Sequence, residues 1–305
     1  MRLARIAAGV TIFTAAVTCF AASDAPPKLA GPSRHYTLKL NSLFTPQAPV
    51  SGVFLKVRID GGPALRLLLD SGAEYIVLDK RAASSSGRAG GSTMELVGLG
   101  TSSKVARRVS PGTVEIGDLV LRDCAIAAVD TPLIEGIDGV VPLSLFAGFL
   151  VRLDVPGKTL DLDPYPPDPP VQDVRYSPAR ADDRLLFLQA IVNESHSGYV
   201  LLDTGAAYNA VAPAAAEAWK SYPLLSPRVS LRGGAGVADG FLLPAGVRFR
   251  FGSLVLSADP AVVVDFSEIA RRLPFEVAGV LGYSALRRSI VTVDYRDAMV
   301  RITGK

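Results

Sequence analysis

The chain has 305 residues, of which 49% are hydrophobic and 20% are charged. That length suits one large domain or two lobes of about 100–150 residues each, and the composition excludes a largely disordered chain. The formal net charge is +3. Arg2 and Arg5 lie in a segment without acidic residues, and subtracting them from the 32 basic residues leaves 30 against 29 acidic ones. This balance argues against nucleic acid as a partner.

The first 23 residues have the pattern of a secretory signal peptide. Two arginines precede an apolar run (Ile6–Ala22), and the small residues before Asp24 fit a cleavage site. We therefore expect residues 1–23 to be a signal peptide, residues 24–34 to begin the mature chain, and the protein to be exported to the bacterial periplasm or cell envelope. Two alternatives stay open: an uncleaved membrane anchor, for which about 17 apolar residues is marginal, and a lipoprotein modified at Cys19.

The sequence offers few residues for metal or nucleophile chemistry. It contains only Cys19, Cys124, His35 and His196 of these two residue types. Cleavage of the signal peptide would leave one cysteine and therefore no internal disulfide. A Cys/His zinc site needs more ligands, and a Ser-His-Asp triad would need a histidine at the start of the mature chain or in a turn. We expect no metal and no cofactor.

The chain contains a long internal repeat. The stretch "FLKVRIDGGPALRLLLDSGAEYIVL" (Phe54–Leu78) aligns without a gap on "FLQAIVNESHSGYVLLDTGAAYNAV" (Phe187–Val211), at an offset of 133 residues. Asp70 thereby matches Asp203. Each copy reads as a strand, a turn, a second strand and then Asp-Ser/Thr-Gly-Ala.

A second pair of matching stretches follows the first. Residues 137–162 align on residues 277–302 at an offset of 140, so that Gly139 matches Gly279. The change in offset indicates about seven extra residues between the two motifs of the second copy. Two motif pairs in the same order indicate a duplicated lobe.

The repeat and the turn residues together predict the domain organisation. We expect an N-terminal lobe (35–163), a Pro-rich linker (164–172, within "DPYPPDPP") and a C-terminal lobe (173–305). Short strands punctuated by Gly and Pro predict an all-β chain with few short helices, folded as two pseudo-symmetric lobes of barrel or sandwich type. Hairpins at 95–112 and 230–246 are either ordinary mobile loops or flaps over a cleft. The short helices are predicted at residues 79–85, 144–149, 213–220 and 266–273.

The doubled Asp-Ser/Thr-Gly loop gives the chain its predicted chemistry. A single copy after a strand is usually a turn, but duplicated lobes mimic a dimer, and equivalent loops can meet on the pseudo-twofold axis. Two carboxylates about 3 Å apart share one proton, so that one is a general base and the other a proton donor. Ser71 and Thr204 can hydrogen-bond across the axis, and glycine at the third loop position lets backbone N–H groups approach the carboxylates.

At this point the residues carry a family resemblance. Hydrophobic-hydrophobic-Asp-Ser/Thr-Gly-Ala, followed 65–75 residues later by a second glycine motif, resembles the aspartic proteases and is most similar to their retropepsin-like branch. The resemblance implies a mostly β fold of two pseudo-symmetric, barrel-like lobes with an active-site cleft between them. It also implies hydrolysis of peptide bonds by an activated water, with no metal and no covalent intermediate. It implies Asp70 and Asp203 as the catalytic pair. It also implies supporting loop residues Ser71, Gly72, Ala73, Thr204, Gly205 and Ala206, with Gly139 and Gly279 where a strand passes under each loop.

The sequence departs from the pepsin pattern in having no disulfide, no clear tyrosine in the first flap and little sign of a pro-segment. Ala73 and Ala206 stand where a hydroxyl could donate to the ionised pair. Since that bond would favour the charged form, its absence predicts higher pKa values for the pair. We therefore expect an optimum less acidic than that of pepsin-like enzymes, at about pH 5–6.

Several interpretations remain open at this stage. The main alternative to a monomeric endopeptidase acting on polypeptides is a catalytically silent relative that binds peptides, with or without a membrane tether at the N-terminus. A two-carboxylate glycosidase and a structural envelope protein explain fewer features. Tyr75 and Tyr208 recur beside the loops as core residues or substrate contacts. Asp154 and Asp294 recur in strand–turn contexts and are interpreted as turn residues.

Overall fold

The computed structural model describes residues 17–18, 25–45, 48–88, 90–98, 103–167, 178–181, 184–219, 227–233, 236–243 and 246–304. Strands dominate these residues, as the sequence predicts. The strands up to the centre of the chain are β1 (Val17–Thr18), β2 (Lys28–Leu29), β3 (Tyr36–Lys39), β4 (Asn41–Thr45), β5 (Ala48–Ile59), β6 (Leu65–Asp70), β7 (Ile76–Leu78), β8 (Ser92–Val97), β9 (Ser103–Ile116), β10 (Leu119–Ala128), β11 (Gly139–Pro142), β12 (Leu150–Asp154) and β13 (Thr159–Asp163).

The second half of the chain continues the series. Its strands are β14 (Pro178–Ala181), β15 (Leu185–Val192), β16 (His196–Leu202), β17 (Asn209–Val211), β18 (Arg228–Gly233), β19 (Gly236–Leu243), β20 (Val247–Phe251), β21 (Leu254–Ala258), β22 (Ala261–Val264), β23 (Val277–Leu281), β24 (Ser289–Asp294) and β25 (Met299–Gly304).

Helices are few and short in the described residues. The α-helices are α1 (Lys80–Ser85), α2 (Ser267–Ala270) and α3 (Tyr283–Leu286), and 3-10 turns span Leu143–Phe146 and Ala214–Trp219. Helix α1 begins where the sequence predicts, because Asp79 is its N-cap and its Oδ1 accepts the Ala82 N–H at 2.7 Å. The sequence analysis did not predict α3.

Among the described residues, one ten-stranded sheet forms around β6 in the first lobe and another around β16 in the second, and the two sheets share a central pattern. In the first lobe β11 lies between β6, to which it is parallel, and β7, to which it is antiparallel. In the second lobe β23 lies in the same way between β16 and β17. The strand that ends at each Asp-Ser/Thr-Gly loop and the strand that follows the loop are therefore separated by the strand carrying the second motif.

The second lobe differs from the first where the repeat offset changes. In the first lobe two long strands, β9 and β10, pair with each other through register shifts between Leu121 and Ile126. In the second lobe the counterpart of β9 is divided into β19 and β20, and the counterpart of β10 is divided into β21 and β22. Strands β20 and β21 pair with each other as a separate hairpin. Most of the extra residues lie after these strands: Ala128 is 11 positions before Gly139, whereas Val263, at the equivalent register position, is 16 positions before Gly279.

A third sheet of five strands joins the two lobes, in the order β25-β24-β12-β13-β3. The sequence predicts the terminal hairpin of each lobe but not that the hairpins pair with each other. Strands β12 and β24 are antiparallel, and Arg152 lies opposite Thr292, its own equivalent at the offset of 140. The local twofold axis therefore passes between these two residues, and one hydrophobic core runs through both lobes beneath this sheet.

The fold class is confirmed: the chain is mostly strands with short helices, in two related lobes. The domain boundaries stay predictions, because the predicted signal peptide (1–23), apart from Val17–Thr18, and most of the linker (168–172) lie outside the described residues. No helix in the described part of the chain is long and apolar enough to span a membrane.

Candidate active site

The two Asp-Ser/Thr-Gly loops meet at the boundary between the lobes. Strand β6 ends at Asp70, and β16 ends at Leu202, one residue before Asp203. Both strands are buried at these ends because a parallel neighbour, β11 or β23, and the core cover them. Two buried strands of different lobes thus deliver two aspartates to one place.

Ser71 and Thr204 join the loops by reciprocal hydrogen bonds. The Ser71 N–H donates to Thr204 Oγ1 at 3.0 Å, and the Thr204 N–H donates to Ser71 Oγ at 3.0 Å. Each hydroxyl also donates to a backbone carbonyl of the opposite strand, Ser71 to Leu202 at 2.7 Å and Thr204 to Leu69 at 2.9 Å. All four groups are buried, so these bonds fix the loops against each other without competition from water.

The carboxyl groups of Asp70 and Asp203 hydrogen-bond to each other, and both residues are 1% exposed. Burial, followed by the charge of Asp203, raises the pKa of Asp70 well above its ordinary value. The Gly72 N–H donates to Asp70 Oδ1 at 2.9 Å, and the N–H groups of Gly205 and Ala206 both donate to Asp203 Oδ1 at 2.9 Å. The arrangement can hold one proton and one negative charge.

Glycine is required at the third loop position of the second lobe. A Cβ atom on Gly205 would lie under 3.0 Å from all three atoms of the Asp70 carboxyl group. The backbone of one loop is therefore packed directly against the carboxylate of the other. This contact brings Asp70 and the second loop closer together than any residue with a side chain would allow.

The second-motif glycines lie where strands approach closely, although not directly beneath the loops. A Cβ on Gly139 would clash with the carbonyl oxygen of Val77, and one on Gly279 with that of Ala210. Both oxygens belong to the strands that follow the loops. The glycine packed against a loop itself is Gly282, whose added Cβ would lie under 3.0 Å from the carbonyl oxygens of Ala206 and Tyr208. The sequence analysis missed Gly282, although "VLG" was visible at the end of β23.

The alanines and tyrosines that follow the loop glycines differ in how deeply they are buried. Ala73 and Ala206 are 2% and 0% exposed, and no hydroxyl stands at either place. Tyr75 is buried in the core of the first lobe, whereas Tyr208 is half-buried and packs at the edge of the second core, which raises the pKa of its hydroxyl. The burial of Tyr75 favours its interpretation as a core residue over that of a substrate contact.

Two further residues act on the loops, and sequence reasoning missed both. Arg184 of the second lobe donates from Nη1 to the carbonyl oxygen of Glu74 at 3.1 Å. Asn209, the first residue of β17, is 0% exposed. At the repeat offset Ser51 stands in place of Arg184 and Ile76 in place of Asn209, so neither residue occurs twice and the repeat gave no signal for them.

The two predicted flaps are β-hairpins. Strands β8 and β9 pair from Ser92 to Val97, and β18 and β19 pair from Arg228 to Gly233. The first hairpin reaches the second lobe, where Arg272 Nη2 lies 3.4 Å from Glu95 Oε2. Hydrogen bonds from Ser103 and Arg272, together with the charge of Arg272, lower the pKa of the Glu95 carboxyl group.

The other acidic and basic candidates lie away from this site. Asp154 and Asp294 end their strands, and Oδ1 of each accepts an N–H three residues later in a turn, as predicted. His35 pairs with Asp163 and His196 pairs with Glu276. Among the described residues no group of three or more His, Cys, Asp or Glu side chains could hold a metal ion.

Comparisons with known proteins agree with this geometry. Residues 55–141 match the family described as Aspartyl protease, a stretch that includes Asp70 and Gly139. Among solved structures, the aspartic proteinase from Irpex lacteus matches with a TM-score of 0.57 at 13% sequence identity, covering 89% of this chain and 97% of that one. No curated protein sequence matches the chain.

The chain therefore has the fold of the aspartic proteinases, and the resemblance stated from the sequence is confirmed. The family match covers the first lobe alone, while the structural match extends over both lobes. At 13% identity the structural match establishes the fold. The chemistry that the site can perform follows from its own residues.

Proposed function

We propose that the protein is an aspartic-type endopeptidase in which Asp70 and Asp203 activate a water molecule. The observation that carries this proposal is the hydrogen-bonded carboxyl pair, buried at the lobe boundary and held by the reciprocal Ser71–Thr204 bonds. Carboxyl groups in direct contact share a proton. A glycosidase needs its two carboxyl groups at least about 5 Å apart, so the arrangement favours peptide hydrolysis.

The proposed reaction uses both states of the pair. The charged carboxylate removes a proton from water as the water oxygen bonds to the peptide carbonyl carbon. The protonated carboxyl group donates to the carbonyl oxygen, so that a neutral tetrahedral diol forms. As the carbon–nitrogen bond then breaks, the protonated carboxyl group donates its proton to the leaving nitrogen, and the ionised carboxylate takes a proton from one hydroxyl of the diol. The products are a carboxylic acid and an amine, and the pair again holds one proton. No covalent enzyme intermediate is required.

The partner in this proposal is a polypeptide, and the protein acts as a monomer because one chain carries both halves of the site. The flap hairpins β8–β9 and β18–β19 would cover a peptide lying between the lobes. We also propose export to the periplasm or cell envelope, on the strength of the N-terminal pattern alone. Fusion of residues 1–30 to a reporter enzyme that folds only after export would test it, and cytoplasmic retention of the fusion would refute it.

The activity is tested with Asp70→Asn and Asp203→Asn on an unfolded protein substrate between pH 3 and 7. The purified wild type should cleave the substrate, while each variant should lose at least about 10³-fold in kcat. Asp118→Asn is the matched control, because Asp118 is exposed in the turn between β9 and β10 and should retain full activity. If the wild type binds unfolded peptides without cleaving them, the protein is the silent peptide-binding relative.

A further inference from the structure

Asn209 is a fully buried polar side chain directly after the second loop. Its Oδ1 accepts the Gly282 N–H at 2.9 Å, and its Nδ2 donates to Ser284 Oγ at 2.5 Å and to the Pro260 carbonyl oxygen at 3.3 Å. A buried amide costs free energy unless its donors and acceptor are bonded. Every polar atom of this side chain has a partner, so its burial is stable in this one geometry.

These bonds connect β17 to the turn that packs against the Asp203 loop. The Tyr283 N–H donates to the Ala206 carbonyl oxygen at 2.7 Å, and the close packing of Gly282 on Ala206 and Tyr208 leaves no room for a side chain. Ala206 in turn donates its N–H to Asp203 Oδ1. Three hydrogen bonds, linked through the backbone of Gly282–Tyr283 and of Ala206, therefore connect Asn209 to Asp203.

The first lobe forms the same loop without this path. At the repeat offsets, Ile76 stands in place of Asn209 and Pro142 in place of Gly282. Proline has no N–H to donate, so an asparagine at position 76 would find no matching donor. Because the first lobe folds with an apolar residue here, the fold itself does not require the polar network of the second.

We propose that Asn209 is a positioning residue for Asp203, which makes the two halves of the site unequal. It holds the second loop through its own lobe, whereas the first loop is held from the other lobe by Arg184. The role rests on the proposed function for its catalytic consequence. Its effect on the shared proton is a property of the site that can be measured without turnover.

The test compares Asn209→Ile, which copies the first lobe, with Ser284→Ala, which removes one partner only. Val247→Ala is the control, since Val247 is buried in the same lobe and lies on β20, which pairs with β15 and β21 and not with β16, β17 or β23. For Asn209→Ile we expect kcat to fall about 10–100-fold, KM to change less than about threefold, and the pH–rate profile to shift. Ser284→Ala should show the same changes to a smaller extent, and it keeps the test intact if Asn209→Ile fails to fold.

A second readout keeps this proposal separate from the proposed function. The pH dependence of the free energy of unfolding between pH 4 and 7 reports the proton of the pair whether or not the protein cleaves peptides. Asn209→Ile and Ser284→Ala should alter that dependence, and Val247→Ala should only lower the curve. If all three variants lower Tm while the pH–stability curve and the pH–rate profile keep their shape, Asn209 is merely structural and the proposal is wrong.

Discussion

The guanidinium group of Arg184 in the second lobe lies over the ring of Tyr75 in the first, with Cζ 4.9 Å from the ring centroid. The same group donates to the carbonyl oxygen of Glu74. Glu74 and Tyr75 directly follow the Asp70-Ser-Gly-Ala loop. One side chain thus crosses the lobe boundary and holds the end of the loop that carries Asp70.

Replacing Arg184 by Met should therefore affect the site as well as stability. Loss of the cation–π contact and of one hydrogen bond should lower the free energy of unfolding by about 1–3 kcal/mol and reduce kcat. Arg34→Met is the matched control, since Arg34 lies 4.8 Å over Tyr36 away from the loops. Urea unfolding and peptide cleavage measure the two effects. Equal losses of activity in both variants would contradict a specific role for Arg184.

Gly282→Ala should be strongly destabilising. The new Cβ would lie under 3.0 Å from two backbone carbonyl oxygens, so β23 or the loop must move, at a cost of about 1–3 kcal/mol or more. Gly148→Ala is the comparison, because a Cβ on Gly148 meets nothing within 4 Å. Thermal unfolding of both variants measures the difference. A Gly282→Ala protein as stable as Gly148→Ala would show that the close approach is absent in solution.

The hydroxyl of Thr204 is tested by the pair Thr204→Val and Thr204→Ser. Valine keeps the shape but leaves the Ser71 N–H and the Leu69 carbonyl oxygen without their partner, which should cost about 1–3 kcal/mol for each buried group. Serine keeps the hydroxyl and should lose far less. The free energy of unfolding from urea titrations gives the result. Similar values for the two variants would mean that packing of the methyl group matters more than the hydrogen bonds.

The proton held by the aspartate pair should appear in the pH dependence of stability. Because the pKa of Asp70 is raised in the folded protein, the native state holds a proton that an unfolded Asp, with a pKa of about 3.9, has released. Its contribution is complete below that value and is lost as pH rises through the folded pKa. Relative to Asp70→Asn, the wild type should therefore lose stability from pH 4 to 7, by at most about 1.4 kcal/mol per pH unit. Parallel curves would refute the shared proton.

Ala206→Ser should move the pH–rate profile to lower pH. The Ala206 N–H already donates to Asp203 Oδ1, so a hydroxyl on this residue lies within reach of the same carboxyl group. A donor to the ionised pair lowers its pKa, and the acidic limb of the kcat/KM profile should shift by a measurable fraction of a pH unit. Ala207→Ser, at the next position, serves as the control. An unshifted profile in Ala206→Ser would contradict the explanation offered for a less acidic optimum.

Much of the site could be predicted because duplication makes it visible twice. Asp70 and Asp203 occupy equal positions after equal strands, and a twofold relation of the lobes is enough to place them together. The fold class followed from short strands and turn residues. These features depend on local pattern and on repetition, which a single sequence displays directly.

The features that escaped prediction are those that differ between the lobes. Arg184 and Asn209 act on opposite loops, and neither has a counterpart that a repeat could reveal. The pairing of β12 with β24 could not be predicted either, because the sequence of a hairpin does not indicate which of its two strands pairs with a strand outside the hairpin. Gly282 was missed because its proline counterpart, Pro142, breaks the repeated motif.

The register of β12 and β24 bears on the direction in which a peptide chain could lie between the lobes. Arg152 opposite Thr292 is the contact that two identical lobes would make with each other. A strictly symmetric pair of lobes presents the same surface to a peptide entering from either end, although a peptide chain runs from N- to C-terminus. The polar Asn209 behind one loop and the apolar Ile76 behind the other make the two halves of this site unequal. In the proposed endopeptidase, such a site would bind a peptide in one direction in preference to the other.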